Sequence, residues 1–180
     1  MLLPHRYEDR INSVSLTEKP LSGVSAWEMK WLLDKAAKYA GSILEIGTYL
    51  GATAREFAVA FPNRQVISVD IHDPSYGLKR EEVGSLAKEY PNTKLFIEDS
   101  KTFTIPEGVG VIFIDGDHTW EGVRADTEKA LAYMRGRSGT IIWHDYWIEC
   151  QVYPYLNWLI ENGVSEIKTV QFTTLAFRDF

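Results

Sequence analysis

The sequence predicts an α/β protein built on a doubly wound sheet of about seven strands, mostly parallel, with helices on both faces and an antiparallel hairpin at the C-terminal end. Three observations predict it. Short β-branched runs, such as Ile43 to Ile46 and Val111 to Ile114, alternate with longer stretches whose apolar residues recur every three or four positions. The short runs are apolar enough to be covered on both faces, which implies parallel pairing with right-handed crossovers. The last two runs, Glu166 to Val170 and Thr173 to Phe177, follow each other with no room for a helix, so they pair antiparallel.

In chain order, SAWE from Ser25 has the form of a capping box, with Ser25 accepting from a free backbone N–H and Glu28 reaching back. A helix follows, with Met29, Leu32, Leu33, Ala36, Ala37 and Ala40 on one face and Gly41 closing it. Ile43 to Ile46 is the first strand, and a second helix runs from Gly51 to a stop before Pro62. Val66 to Val69 is a strand, Val83, Leu86, Ala87 and Tyr90 mark a helix face ended by Pro91, and Leu95 to Ile97 is a strand again. Val111 to Ile114 is the fourth strand, and the helix after it carries Val123, Thr127, Ala130, Leu131 and Met134 on its inner stripe. Thr140 to Trp143 is the fifth, followed by a helix around Tyr153 to Glu161. This order is Rossmann-like. Residues 1–22 read as an arm or lid, and 23–180 as a single domain.

Composition narrows the function classes. With 45% hydrophobic and 24% charged residues, the chain is neither disordered nor membrane-spanning in character. A net charge of −6, with 19 basic residues scattered along it, offers no face for a phosphate backbone, so nucleic acid is not expected as a partner. Cys150 is the one cysteine, which excludes an intrachain disulfide and cysteine-built metal sites. MLLPHRYEDR turns polar after three residues and no long apolar run follows, so a cytoplasmic protein without membrane contact is expected. Six tryptophans read as core or interface packing, which leaves a homo-oligomer open.

In open α/β sheets ligands bind outside the carboxyl ends of the strands. Here those ends carry Glu45, Asp70, Asp99, Asp115, and the pair His144 and Asp145. LEIGTYLGATAREFA, Leu44 to Ala58, is a strand, a turn with Gly47 and Gly51, and a helix. It is not the dinucleotide fingerprint, because the position two after Gly47 is Tyr49, whose side chain obstructs a pyrophosphate. A phosphate-free nucleoside fits better. Asp70, 19 residues past Gly51, stands where an acid takes both ribose hydroxyls.

With these motifs, LEIGTYLGA, VISVDIHD, FIEDS, VIFIDGDH and IIWHDY, the sequence resembles the class I S-adenosylmethionine-dependent methyltransferases over roughly residues 25–178. Within them it is most similar to a small branch that includes sugar O-methyltransferases of antibiotic pathways and cephalosporin-hydroxylase-like proteins. The resemblance implies that Glu45, Gly47 and Gly51 line the methionine part of the cofactor, Asp70 the ribose, and Asp99 with Ser100 the adenine. Thr48, Tyr49, Ile71 and Asp115 complete the expected cofactor contacts. A cluster of acids suits a ligand carrying a sulfonium and an ammonium.

Asp115, His144 and Asp145 also resemble the divalent site of metal-dependent O-methyltransferases, where a hard cation takes carboxylates and the acceptor's oxygen. Their chemistry fits Mg²⁺ or another divalent cation, and the histidine favours a softer one. His118, three residues past Asp115, stands where related sugar O-methyltransferases place a base, and Asp117 or Asp145 is positioned to orient it. The competing reading makes Asp117, His118 and Thr119 a polar turn that caps the next helix. The expected activity is methyl transfer to a small-molecule hydroxyl. The alternatives are a non-catalytic module that only binds S-adenosylmethionine, and a nicotinamide-dependent oxidoreductase, disfavoured by Tyr49.

Overall fold

The computed structural model describes residues 23–180; the expected arm at 1–22 lies outside the described residues. Seven strands form one sheet in the order β3-β2-β1-β4-β5-β7-β6. They are β1 (Ser42–Ile46), β2 (Val66–Asp70), β3 (Thr93–Ile97), β4 (Val109–Ile114), β5 (Thr140–Trp143), β6 (Lys168–Thr169) and β7 (Ala176–Asp179). The first five pair in parallel, β7 runs antiparallel to β5, and β6 runs antiparallel to β7.

Alternation along the strands divides the core. Ile43, Val66, Val111, Phe113 and Ile142 pack with Leu32, Leu33 and Phe57, from α1 (Ala26–Ala36) and α2 (Ala52–Ala60). Leu44, Ile46, Ile112, Ile114 and Trp143 pack on the other face with Met134, Tyr155 and Leu159, from α3 (Trp120–Met134) and α4 (Val152–Glu161). Across that second face the buried Trp143 Nε1 donates to Thr127 Oγ1 at 2.9 Å. Among the described residues, no helix is long and apolar enough to cross a membrane.

The Ser25 capping box forms as expected, with Ser25 accepting from the Glu28 N–H and Glu28 accepting in return. Three expectations are corrected. The first helix ends at Ala36 rather than at Gly41, leaving Ala37 and Ala40 exposed. The helix expected over Val83 to Tyr90 is a series of turns after a short 3₁₀ segment, Arg80–Glu82. Gly84 has φ +68, which an α-helix does not allow, and a side chain there would meet Leu95 at 2.5 Å. Its N–H donates to Tyr49 O and that of Leu86 to Leu50 O, so the segment braces the turn after β1. Finally, the hairpin strands are shorter than expected, and the second begins at Ala176, opposite Trp143 of β5, rather than at Thr173.

Candidate active site

The carboxyl ends of β1, β2 and β4 open onto a cleft of about 620 Å³, walled by Gly47, Tyr49, Asp70, Ile71, Asp99, Ser100, Asp115 and His118 among others. Gly47 sets its geometry. With φ +98, and with a Cβ built there only 2.1 Å from Asp115 O, it accepts no side chain; this is how the turn after β1 packs on the end of β4. Asp70 fixes that turn from the neighbouring strand. Its Oδ2 accepts from the Thr48 and Tyr49 N–H groups, both at 2.8 Å, and its Oδ1 from His72 N at 2.9 Å. Tyr49, His72 and Asp145 all have positive φ, so three strained non-glycine backbones sit just past strand ends at this edge of the sheet.

Three of the expected cofactor contacts, Glu45, Thr48 and Gly51, do not wall the cleft. Glu45 is buried on β1 and accepts from the Ser68 hydroxyl, which also meets Thr48 Oγ1 at 2.7 Å. Burial, reinforced by the nearby acids Asp115 and Asp70, pushes its carboxyl up to about 8. Gly51 has φ +83 at the start of α2, and a Cβ there would lie 2.9 Å from Gly84 Cα, so it shapes the turn without touching the cleft. Asp99 starts a turn, with Oδ1 accepting from Lys101 N at 2.8 Å.

Of the wall residues that escaped the sequence reading, Asp126 is the most buried acid. Asp126 of α3 is 2% exposed, its Oδ1 has no hydrogen-bond partner, and burial raises its pKa. A polar residue on the buried stripe of a helix was the available signal, and it went unread because Val123, Thr127 and Ala130 already account for that stripe.

At the ends of β4 and β5 the acids and histidines converge. His118 Nε2 lies 3.3 Å from Asp115 Oδ1 and 3.3 Å from Asp145 Oδ2. The hydrogen bond to Asp115 raises the His118 pKa above its ordinary value. Asp117 does not touch that imidazole. Its Oδ1 accepts from Thr119 N at 2.9 Å, and Thr119 Oγ1 caps α3 by accepting from Gly122 N at 3.2 Å. Of the two orienting groups expected, the ring therefore contacts Asp145, joined by Asp115.

His144 is buried, with Nδ1 at 3.3 Å from both Asp115 Oδ1 and Asp145 Oδ1. Both oxygens lie off the line of a hydrogen bond, so this buried nitrogen has ion-pair contacts but no hydrogen-bond partner. The ring's other nitrogen, Nε2, faces Thr174 Oγ1 at 3.3 Å and Glu28 Oε2 at 3.7 Å. Burial alone would lower the imidazole's pKa; the carboxylates of Asp115, Asp145 and Glu28 overcome it and push the ring up to about 12. Burial works the other way on Glu28, and the facing His144 ring with hydrogen bonds from Thr174 and Ser25 holds that carboxyl well below the usual range. Ligand atoms of Asp115, His144 and Asp145 all lie within 4.8 Å of one another. Two carboxylates and an imidazole nitrogen with no hydrogen-bond partner, turned to one point, form a donor set that fits a divalent cation.

A sheet of this order, with a glycine turn after β1, an acid ending β2 and an antiparallel C-terminal pair, defines a class I S-adenosylmethionine-dependent methyltransferase. A family profile described as a methyltransferase domain matches residues 44–146, and the chain belongs to that family. No curated protein matches the sequence. Solved structures share the fold at low identity. Cofactor-bound Rv0187 from MTB is 19% identical with a TM-score of 0.63, the match covering 96% of this chain and 85% of that one. The Podospora anserina methyltransferase PaMTH1, bound to S-adenosylhomocysteine, is 14% identical with a TM-score of 0.67, covering 97% and 86%. CalS11, a TDP-rhamnose 3'-O-methyltransferase of calicheamicin biosynthesis, is 14% identical with a TM-score of 0.58, covering 97% and 93%.

Proposed function

We propose that the protein methylates a hydroxyl of a small molecule, sugar-like or natural-product-like, with S-adenosylmethionine as donor and a divalent cation at Asp115, His144 and Asp145. The observation that carries this reading is the shared Asp115 Oδ1. It meets both His118, on the cleft wall, and His144, on the buried side, so a proton-accepting group and a cation pocket adjoin one cofactor cleft. CalS11, with a related fold, is an O-methyltransferase acting on a TDP-sugar, which supports a hydroxyl as acceptor.

Each residue has a stated task in this reading. Asp70 holds the turn of Thr48 and Tyr49 and takes the ribose hydroxyls. Asp99, Ser100 and Asp126 wall the far end, where the adenine lies. Gly47 lets the methionine part approach the backbone. Asp115, His144 and Asp145 would hold the cation, which would supply Lewis-acid activation of the acceptor hydroxyl. His118 Nε2–H faces Asp115 and Asp145, so the ring accepts the hydroxyl proton at Nδ1, and the two carboxylates stabilise the resulting imidazolium. Much of the acceleration comes from proximity, since the donor is already activated.

Two measurements test the reading. Asp70→Ala should weaken S-adenosylhomocysteine binding by about 1.5–3 kcal/mol, the range for hydrogen bonds to a charged group; unchanged affinity by calorimetry removes Asp70 from the cofactor site. Protein stripped by chelation should lose turnover on nucleotide-sugar and phenolic acceptors, followed as S-adenosylhomocysteine release, and regain it with Mg²⁺ or Mn²⁺. If the stripped protein works at the original rate, His118 handles the proton without a metal.

A further inference from the structure

Glu28 enters the fold as a helix cap, yet its carboxylate reaches the edge of His144 that faces away from Asp115 and Asp145. Its hydrogen bonds are full. Oε2 accepts from Ser25 N at 2.9 Å and Ser25 Oγ at 2.7 Å, and Oε1 accepts from Thr174 N and Thr174 Oγ1, both at 2.8 Å. The residue is 5% exposed, so water does not compete for these bonds.

The proton inventory then fixes the ring. A threonine hydroxyl has one proton to give. Thr174 gives it to Glu28, so its oxygen can only accept from His144 Nε2, 3.3 Å away. Nε2 must therefore carry a hydrogen, and in the neutral ring the lone pair belongs to Nδ1, the nitrogen between the two aspartates. Phe113 packs edge-on against the imidazole at 6.2 Å, and Thr174 O accepts from Tyr146 N at 2.8 Å, tying the hairpin to the loop that carries Asp145.

We infer that Glu28, acting through the Thr174 hydroxyl, is the positioning residue that sets the His144 tautomer and presents Nδ1 to a divalent cation held with Asp115 and Asp145. The inference rests on the cation reading of the site. It makes the first turn of α1 and the β6–β7 hairpin part of the metal centre, although both are remote from it in sequence. Outer hydrogen-bond partners of this kind typically change metal affinity by about 10- to 100-fold.

Thr174→Val isolates the relay, because it deletes the hydroxyl while the Thr174 backbone N–H and the Ser25 cap still bind Glu28. Mn²⁺ affinity, read by calorimetry and by the paramagnetic signal of free Mn²⁺, should fall by about 10- to 100-fold in Thr174→Val and in Glu28→Gln, and return in Thr174→Ser. S-adenosylhomocysteine affinity stays at the wild-type value in Thr174→Val and reports an intact cleft. In the Zn²⁺-loaded wild type the Nε2 proton of His144 should give a slowly exchanging NMR resonance, lost in Thr174→Val. Wild-type Mn²⁺ affinity in both Glu28→Gln and Thr174→Val overturns the inference alone. A wild-type protein that binds no divalent cation overturns the cation reading and this inference with it.

Discussion

Purified His118→Ala should turn over about 10²- to 10⁴-fold more slowly than the wild type, the range for losing a general base, while binding S-adenosylhomocysteine equally well. The structure sharpens this test. The competing role for this loop, a polar turn that caps α3, is carried by Asp117 and Thr119, and His118 takes no part in it. Its removal should therefore leave the α3 cap intact, so any loss of stability should come only from its contacts with Asp115 and Asp145 and should not account for the loss of turnover. The pH profile gives a second readout. Only the neutral imidazole accepts a proton, and the Asp115 hydrogen bond favours the charged ring. In the metal-free protein an NMR titration of the His118 ring should therefore have its midpoint above the unperturbed value of about 6.5. Wild-type kcat in His118→Ala removes the residue from the mechanism.

The fold was legible because its central strands, β1, β2, β4 and β5, are short, apolar and buried on both faces, and that pattern survives without any tertiary knowledge. The sequence misled where a tertiary contact decides. Val83, Leu86, Ala87 and Tyr90 have helical spacing, but the backbone N–H groups around Gly84 are taken by the turn at Tyr49 and Leu50, so the segment never closes a helix. The register of the hairpin is likewise set across the sheet, by Trp143 opposite Ala176. At the site, Asp115, His118, His144 and Asp145 could be named because all four stand at or just past strand ends, where ligands bind. Glu28 was visible only as a cap. Nothing local shows that α1 packs against the β4 and β5 side of the sheet, and only that packing brings its carboxylate to His144. Glu45, read as a cofactor contact from its motif, points into the sheet because alternation along β1 sends it toward Ser68.

Replacing His144 by alanine should strongly destabilise the metal-free protein. It leaves Glu28, Asp115 and Asp145 without the buried cation that faces all three. Breaking a buried ion pair by removing one partner costs about 3–5 kcal/mol, which for a chain of this size lowers Tm by roughly 6–20 °C. The pH dependence identifies the cause. His144 is raised in the folded protein from its usual 6.5 to about 12, so its stabilisation is complete below about 6.5 and is lost as pH climbs toward about 12. In EDTA, the stability gap between wild type and His144→Ala should therefore narrow by up to about 1.4 kcal/mol per pH unit as pH rises above 7. With a saturating divalent cation the ring contributes Nδ1 as a ligand instead of a charge, and the gap should stop narrowing with pH. Denaturant titrations from about pH 6.5 to 9.5, with and without Mn²⁺, measure both slopes. A gap that is constant with pH in EDTA would show that His144 stabilises by packing against Phe113 rather than by its charge.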